Sequence, residues 1–112
     1  MIFSVICTDA SDYVRWQCDL LEHTWKAVGQ PGELVHLAAC APERALPRHR
    51  YARVVRTRPV DRDPVTGTRY VPINRLFSLQ QWLKEERPRG TVLLLDPDCV
   101  FREAITSEVE PG

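Results

Sequence analysis

Two aspartates separated by one proline, Asp96-Pro97-Asp98, are the residues of this chain best suited to chemistry. They follow its most hydrophobic run, Thr91–Leu95 (TVLLL). In an extended chain, residues two apart point to the same side. The two α-carbons would then lie roughly 6.6 Å apart. That is wide for both carboxylates to clasp one ion directly, so one direct ligand and one acting through water or a hydroxyl is expected. Pro97 fixes its own φ and biases Asp96 toward the extended region. Hard oxygen donors with few companions suit magnesium or manganese, whose other positions go to water and phosphate oxygens. Such an ion would neutralise a departing diphosphate. The bland alternative is an aspartate that merely starts a turn after a strand.

The elements that must hold this pair are readable from pattern. Residues 2–7 (IFSVIC) form an apolar, β-rich run. Thr8-Asp9-Ala10-Ser11-Asp12 follows, rich in helix-capping types. Val14, Cys18, Leu21, Trp25 and Val28 then recur at helical spacing, and Gly29 with Pro31-Gly32 ends the helix. Glu33–Cys40 and Tyr51–Val60 are predicted strands, the second less regular because arginines alternate with Val54 and Val55. Asp61–Thr68 is a turn-rich loop and Tyr70–Ile73 a short extended segment. Asn74 can cap a helix with apolar positions Leu76, Leu79 and Leu83, stopped by Arg87-Pro88-Arg89-Gly90. The order strand, helix, strand, strand, helix, strand, with strands apolar on both faces, predicts an α/β fold: a mostly parallel, Rossmann-like sheet flanked by helices. Ligands bind such sheets outside the carboxyl ends of the strands. Thr8-Asp9 and Asp96-Pro97-Asp98 stand at two of those ends.

Composition narrows the classes. The 112 residues suffice for one domain, 1–112, and no apolar run approaches the length of a membrane span. Fifteen basic residues balance fifteen acidic ones, which argues against nucleic acid as a partner. The balance is uneven: Arg44, Arg48, Arg50, Arg53, Arg56, Arg58 and Arg62 face only Asp61 between residues 44 and 62. That cluster is either a solvated loop and strand face or a patch for phosphate or a partner. Cys7, Cys18, Cys40 and Cys99 lack the paired spacing of a zinc or redox site and read as reduced thiols, most of them packed as small hydrophobes. His23, His36 and His49 are scattered and read as packing or surface. Trp16 and Trp82 read as core. The only lysines, Lys26 and Lys84, lie in predicted helices, which disfavours a phosphoacceptor domain. No Gly-rich phosphate loop is present.

Three blocks, in order, carry a resemblance. FSVICTDASDYVRWQCDLLEHTWKAVGQPGELVHLAAC, YVPINRLFSLQQWL and LLLDPDCVFRE together span roughly residues 3–103. They resemble the hydroxyproline O-arabinosyltransferases of plants and the related peptidyl-serine galactosyltransferases, glycosyltransferases of the GT-A fold. The matching features are Thr8-Asp9 after the first strand, Trp16-Gln17-Cys18 in the helix, Pro31-Gly32 before the second strand, Asn74-Arg75 and the acidic motif. The resemblance implies a nucleotide-sugar donor, UDP-linked, with manganese or magnesium, and transfer of the sugar to a hydroxyl of a peptide or glycan. Asp96 and Asp98 would hold the metal, Asp96 also the donor. Thr8 and Asp9 would line the nucleotide pocket, and Asn74 and Arg75 would lie by the phosphates or sugar. A helix start suits phosphate, and arginine can add a bidentate contact. The family's domain continues well past the acidic motif. Residues 1–112 are therefore expected to be the donor-binding part alone, completed by a C-terminal half or by a second copy along the uncovered TVLLL edge. An alternative is a remnant that keeps the fold as an interaction module without transferase activity. The arginine-rich, lysine-poor composition and the missing membrane anchor point to a bacterial cytoplasmic relative; a eukaryotic one would work in the secretory pathway.

Overall fold

The computed structural model describes residues 1–9, 11–60, 65–67 and 73–108, and of Tyr13 and Ile73 the backbone alone. Much of the predicted loop 61–68 and of the extended segment 70–73 lies outside these residues. Four strands form one parallel sheet: β1 (Ile2–Thr8), β2 (Glu33–Ala39), β3 (Arg53–Thr57) and β4 (Thr91–Leu95), in the order β3-β2-β1-β4. Helix α1 (Arg15–Ala27) links β1 to β2, and α2 (Ile73–Glu86) precedes β4. The predicted α/β, Rossmann-like architecture is the observed one.

β1 is central, so all seven of its residues are buried. Its side chains alternate between two cores. Phe3, Val5 and Cys7 meet Val35, Leu37 and Trp82 on the α2 side. Ile6 meets Cys18, Leu21, Leu34 and Phe101 on the α1 side. Phe3 and Trp82 pack edge to face, with centroids 5.7 Å apart.

Helix α2 turns a different face inward from the one its leucines predict. Ser78 and Trp82 are fully buried and Leu79 partly so, whereas Leu76 and Leu83 are exposed. Its register is pinned by polar bonds at the end of β3. Ser78 Oγ and Thr57 Oγ1 lie 2.6 Å apart, and the Gln81 amide bonds both the N–H and the C=O of Arg58. Trp16 is the other correction. It is 62% exposed, because α1 begins only at Arg15, after a 3-10 turn over Asp12–Val14, and buries Cys18 and Leu21 instead. Among the described residues no helix is long and apolar enough to cross a membrane.

No helix joins β2 to β3. The crossover 40–52 passes over the α1 side, held there by Glu22. Its carboxylate accepts the backbone N–H groups of Arg50, Tyr51 and Ala52 at 3.3, 2.9 and 2.7 Å. The chain after β4 returns across α1: Phe101 N–H donates to Thr24 Oγ1, Gln30 brackets the Ile105 peptide, and Glu108 pairs with the N-terminal amine. At the amino end of the sheet, Gly32 (φ 92°) and Gly90 (φ 140°) lie so close to the carbonyls of Ile2 and Met1 that a β-carbon would collide with them. Only glycine fits both the conformation and the space.

Candidate functional site

Strand order reverses between β1 and β4, because β2 and β3 lie to one side of β1 and β4 to the other. A crevice at the carboxyl ends of the strands is expected at this switch. Ile6 pairs in register with Leu95, so Thr8-Asp9 and Asp96-Pro97-Asp98 emerge side by side.

The acidic motif is not extended. Cys99 N–H donates to the Asp96 carbonyl at 3.0 Å, closing a turn with Pro97 at its second position. A proline's fixed φ suits that position, and this local bond outweighs the extended bias on the preceding residue. The turn draws ligand atoms of Asp96, Asp98 and Cys99 within 4.8 Å of one another, all on exposed residues. The separation expected of an extended pair is thereby corrected, and Cys99 joins a cluster that sequence spacing assigned to the aspartates alone.

Arg75 reaches the same place from the first turn of α2. Its guanidinium Nη1 donates to Asp96 Oδ1, while its Nε is buried without a partner. Asn74 lies inside the helix instead of capping it, and its Oδ1 accepts the Val60 N–H, tying down the chain after β3. The structure thus brings Arg75, Asp96 and Asp98 together beside Thr8 and Asp9, and commits the Asn74 carbonyl to the backbone. Asp9 Oδ1 accepts the Ser11 N–H at 3.0 Å, shaping the entry to α1.

A second constellation went unseen in the sequence. Thr8 Oγ1 and His36 Nε2 share a hydrogen bond of 2.7 Å, and His36 Nδ1 and His49 Nε2 another of 2.8 Å. His49 Nδ1 then points toward Glu22 and Asp19, at 3.6 and 3.7 Å. Burial, reinforced by His49, pushes His36 down to about 4, against a smaller opposing effect of Glu22. Burial also pushes Glu22 up, but the three backbone donors and His49 outweigh it and hold the carboxyl below its ordinary range. This polar chain forms one wall of a cavity of about 370 Å³ between the entry to α1 and the crossover 40–52. The sequence signal was a lone histidine inside the apolar run ELVHLAAC. His49, thirteen residues on, is brought to it by the fold.

The cysteines divide as their surroundings dictate. All four are free thiols, with Cys7, Cys18 and Cys40 buried and Cys99 exposed. Burial pushes Cys7 up to about 12, partly opposed by Arg75, and Cys18 up to about 11. Both are protonated, inert core groups. The arginines divide too. Arg53 is spent on Glu33 and Glu86, and Arg56 on the Ala41 and Arg44 carbonyls.

Over 109 residues, 94% of the chain, the sequence is 30% identical to a peptidyl serine alpha-galactosyltransferase of Arabidopsis thaliana. Its relation is to a glycosyltransferase. A peptidyl serine alpha-galactosyltransferase of Chlamydomonas reinhardtii is likewise 30% identical, over 100 residues and 85% of the chain. The glycosyltransferase-like chain spans about a seventh of the length of these curated relatives, 14% and 13% respectively. No family model matches it, and no solved structure matches it significantly.

Proposed function

We propose that residues 1–112 form the donor-binding part of a metal-dependent glycosyltransferase of GT-A type, acting on a UDP-linked sugar. The observation that carries this is the meeting of Arg75, Asp96 and Asp98 with Thr8-Asp9 at the sheet's switch point. The similarity to two peptidyl serine alpha-galactosyltransferases supports it and suggests a peptide hydroxyl as acceptor.

The donor set fits a divalent cation: two carboxylates and a thiol on an exposed turn leave several coordination positions open. Asp96 and Asp98 would hold manganese or magnesium, with Cys99 at their side. When bound, the ion supplies Lewis-acid stabilisation of a leaving diphosphate. Arg75, paired with Asp96, offers its remaining guanidinium N–H groups to a phosphate. Thr8 and Asp9 line the adjoining wall, with Thr8 fixed by His36.

Calorimetric titration of the 112-residue chain with UDP tests this. Binding should require manganese and should vanish in Asp98→Ala; equal binding by variant and wild type removes the metal assignment. The second reading, an interaction module without transfer, draws on the Arg75–Asp96 pair already occupying the acidic turn and on the single sheet partner of β4 among the described residues. It predicts manganese-indifferent sedimentation as a dimer.

A further inference from the structure

The cavity on the α1 side holds a group of cations that nothing else in the fold employs. Arg15, at the start of α1, and Arg44 and Arg48, in the crossover, line it as exposed residues. Arg53 and Arg56 are consumed by carboxylates or carbonyls, and Arg75 is paired with Asp96. Arg15, Arg44 and Arg48 have no ion pair among the described residues. Arg56 grips the Arg44 carbonyl and so fixes the backbone from which one of these side chains projects. A second, independent sign lies on the same wall. The His49 side chain is 2% exposed, its Nε2 is committed to His36, and its Nδ1 faces the Glu22 and Asp19 carboxylates at 3.6 and 3.7 Å without a hydrogen bond to either. A buried polar atom left without a hydrogen bond is costly, and a bound acceptor or donor would offset that cost.

Two carboxylates also line the space, Asp12 and Asp19. Asp19 lies 3.7 Å from His49 Nδ1, so its charge is directed at the imidazole. With three guanidinium groups against two carboxylates, the lining carries a net positive charge.

From this geometry we infer that the cavity is a metal-independent site for a small phosphomonoester, with the phosphate held by Arg15, Arg44 and Arg48. Three guanidinium forks present more donors than a carboxylate can accept, and they match the three terminal oxygens of a phosphate. The volume of about 370 Å³ accommodates a phosphate joined to one ring-sized group. Leu46 and Pro47 supply apolar lining for that group. The site adjoins the proposed donor pocket through Thr8, which borders both, but neither Asp96 nor Asp98 lines it.

Calorimetry on the 112-residue chain in EDTA, with inorganic phosphate and phenyl phosphate in separate titrations and phenol as control, tests the inference. Saturable binding of phenyl phosphate is expected, weakened about tenfold or more in Arg44→Gln and in Arg48→Gln and unchanged in Asp98→Ala. Equal binding of inorganic phosphate would identify free phosphate as the source of the recognised group; weaker binding would assign the site to the ester. Circular dichroism of the two arginine variants checks that they remain folded. Three outcomes overturn the inference: no saturable binding of either phosphate, undiminished binding by both folded variants, or phenol binding as well as its phosphate. A failure of manganese-dependent UDP binding would leave these titrations unaffected, so the two assignments fail separately.

Discussion

His36 and His49 face each other through a 2.8 Å Nδ1–Nε2 hydrogen bond, with ring centroids 5.0 Å apart. One ring belongs to the buried strand β2 and the other to the crossover that must lie across α1. At most one of the two facing nitrogens can carry a proton, so the two rings cannot both be charged, and burial keeps His36 neutral.

That neutrality has a pH signature. The folded His36 titrates near 4 and the unfolded one at the ordinary 6.5. As pH falls, the unfolded chain takes up the proton first. Stability is therefore full above about 6.5 and declines toward pH 4, by roughly 3 kcal/mol at most. Melting temperatures at pH 7.5 and 4.5 should differ clearly in the wild type and much less in His36→Gln. Coincident wild-type values would contradict a buried neutral imidazole.

Glu22 is the anchor of the crossover, and Glu22→Gln tests it. The amide keeps one acceptor oxygen and loses the charge that three backbone N–H groups share. A loss of about 2 kcal/mol is expected in urea unfolding. Amide exchange should accelerate at Arg50, Tyr51 and Ala52 before it does in β1.

Arg75 competes with any cation for Asp96. Arg75→Gln should raise affinity for manganese alone several-fold, in keeping with the loss of an exposed ion pair worth about 1 kcal/mol. In the presence of UDP the same variant should bind more weakly, having lost a phosphate contact. A drop in affinity for manganese alone would instead make Arg75 a positioning residue for the carboxylate.

The two tryptophans separate core from surface. Trp82→Ala removes the centre of the α2-side core and should cost about 3–5 kcal/mol. Trp16→Ala, at an exposed position, should change stability by less than about 0.5 kcal/mol. Denaturant midpoints of both variants distinguish these outcomes.

The sheet was legible because its signals are local. IFSVIC, ELVHLAAC and TVLLL are apolar on both faces, which only a doubly covered parallel sheet satisfies. The rim of the site was legible for the same reason: Thr8-Asp9 and Asp96-Asp98 immediately follow such runs. Contacts between distant segments were not. Nothing in the spacing of His36 and His49 announces a shared hydrogen bond, and Asn74 looks like a cap until Val60 is brought to it. The turn at Asp96–Cys99 was hidden because proline favours both an extended predecessor and a turn, and only the Cys99 N–H decides between them.

Gly32 and Gly90 hold the opposite pole of the sheet, where the backbone of Met1 and Ile2 is clasped from two sides. The tightest glycine contacts thus lie at the end remote from the acidic turn. An alanine at either glycine would push against the first residues of the central strand, whose far end carries Thr8 into the candidate site.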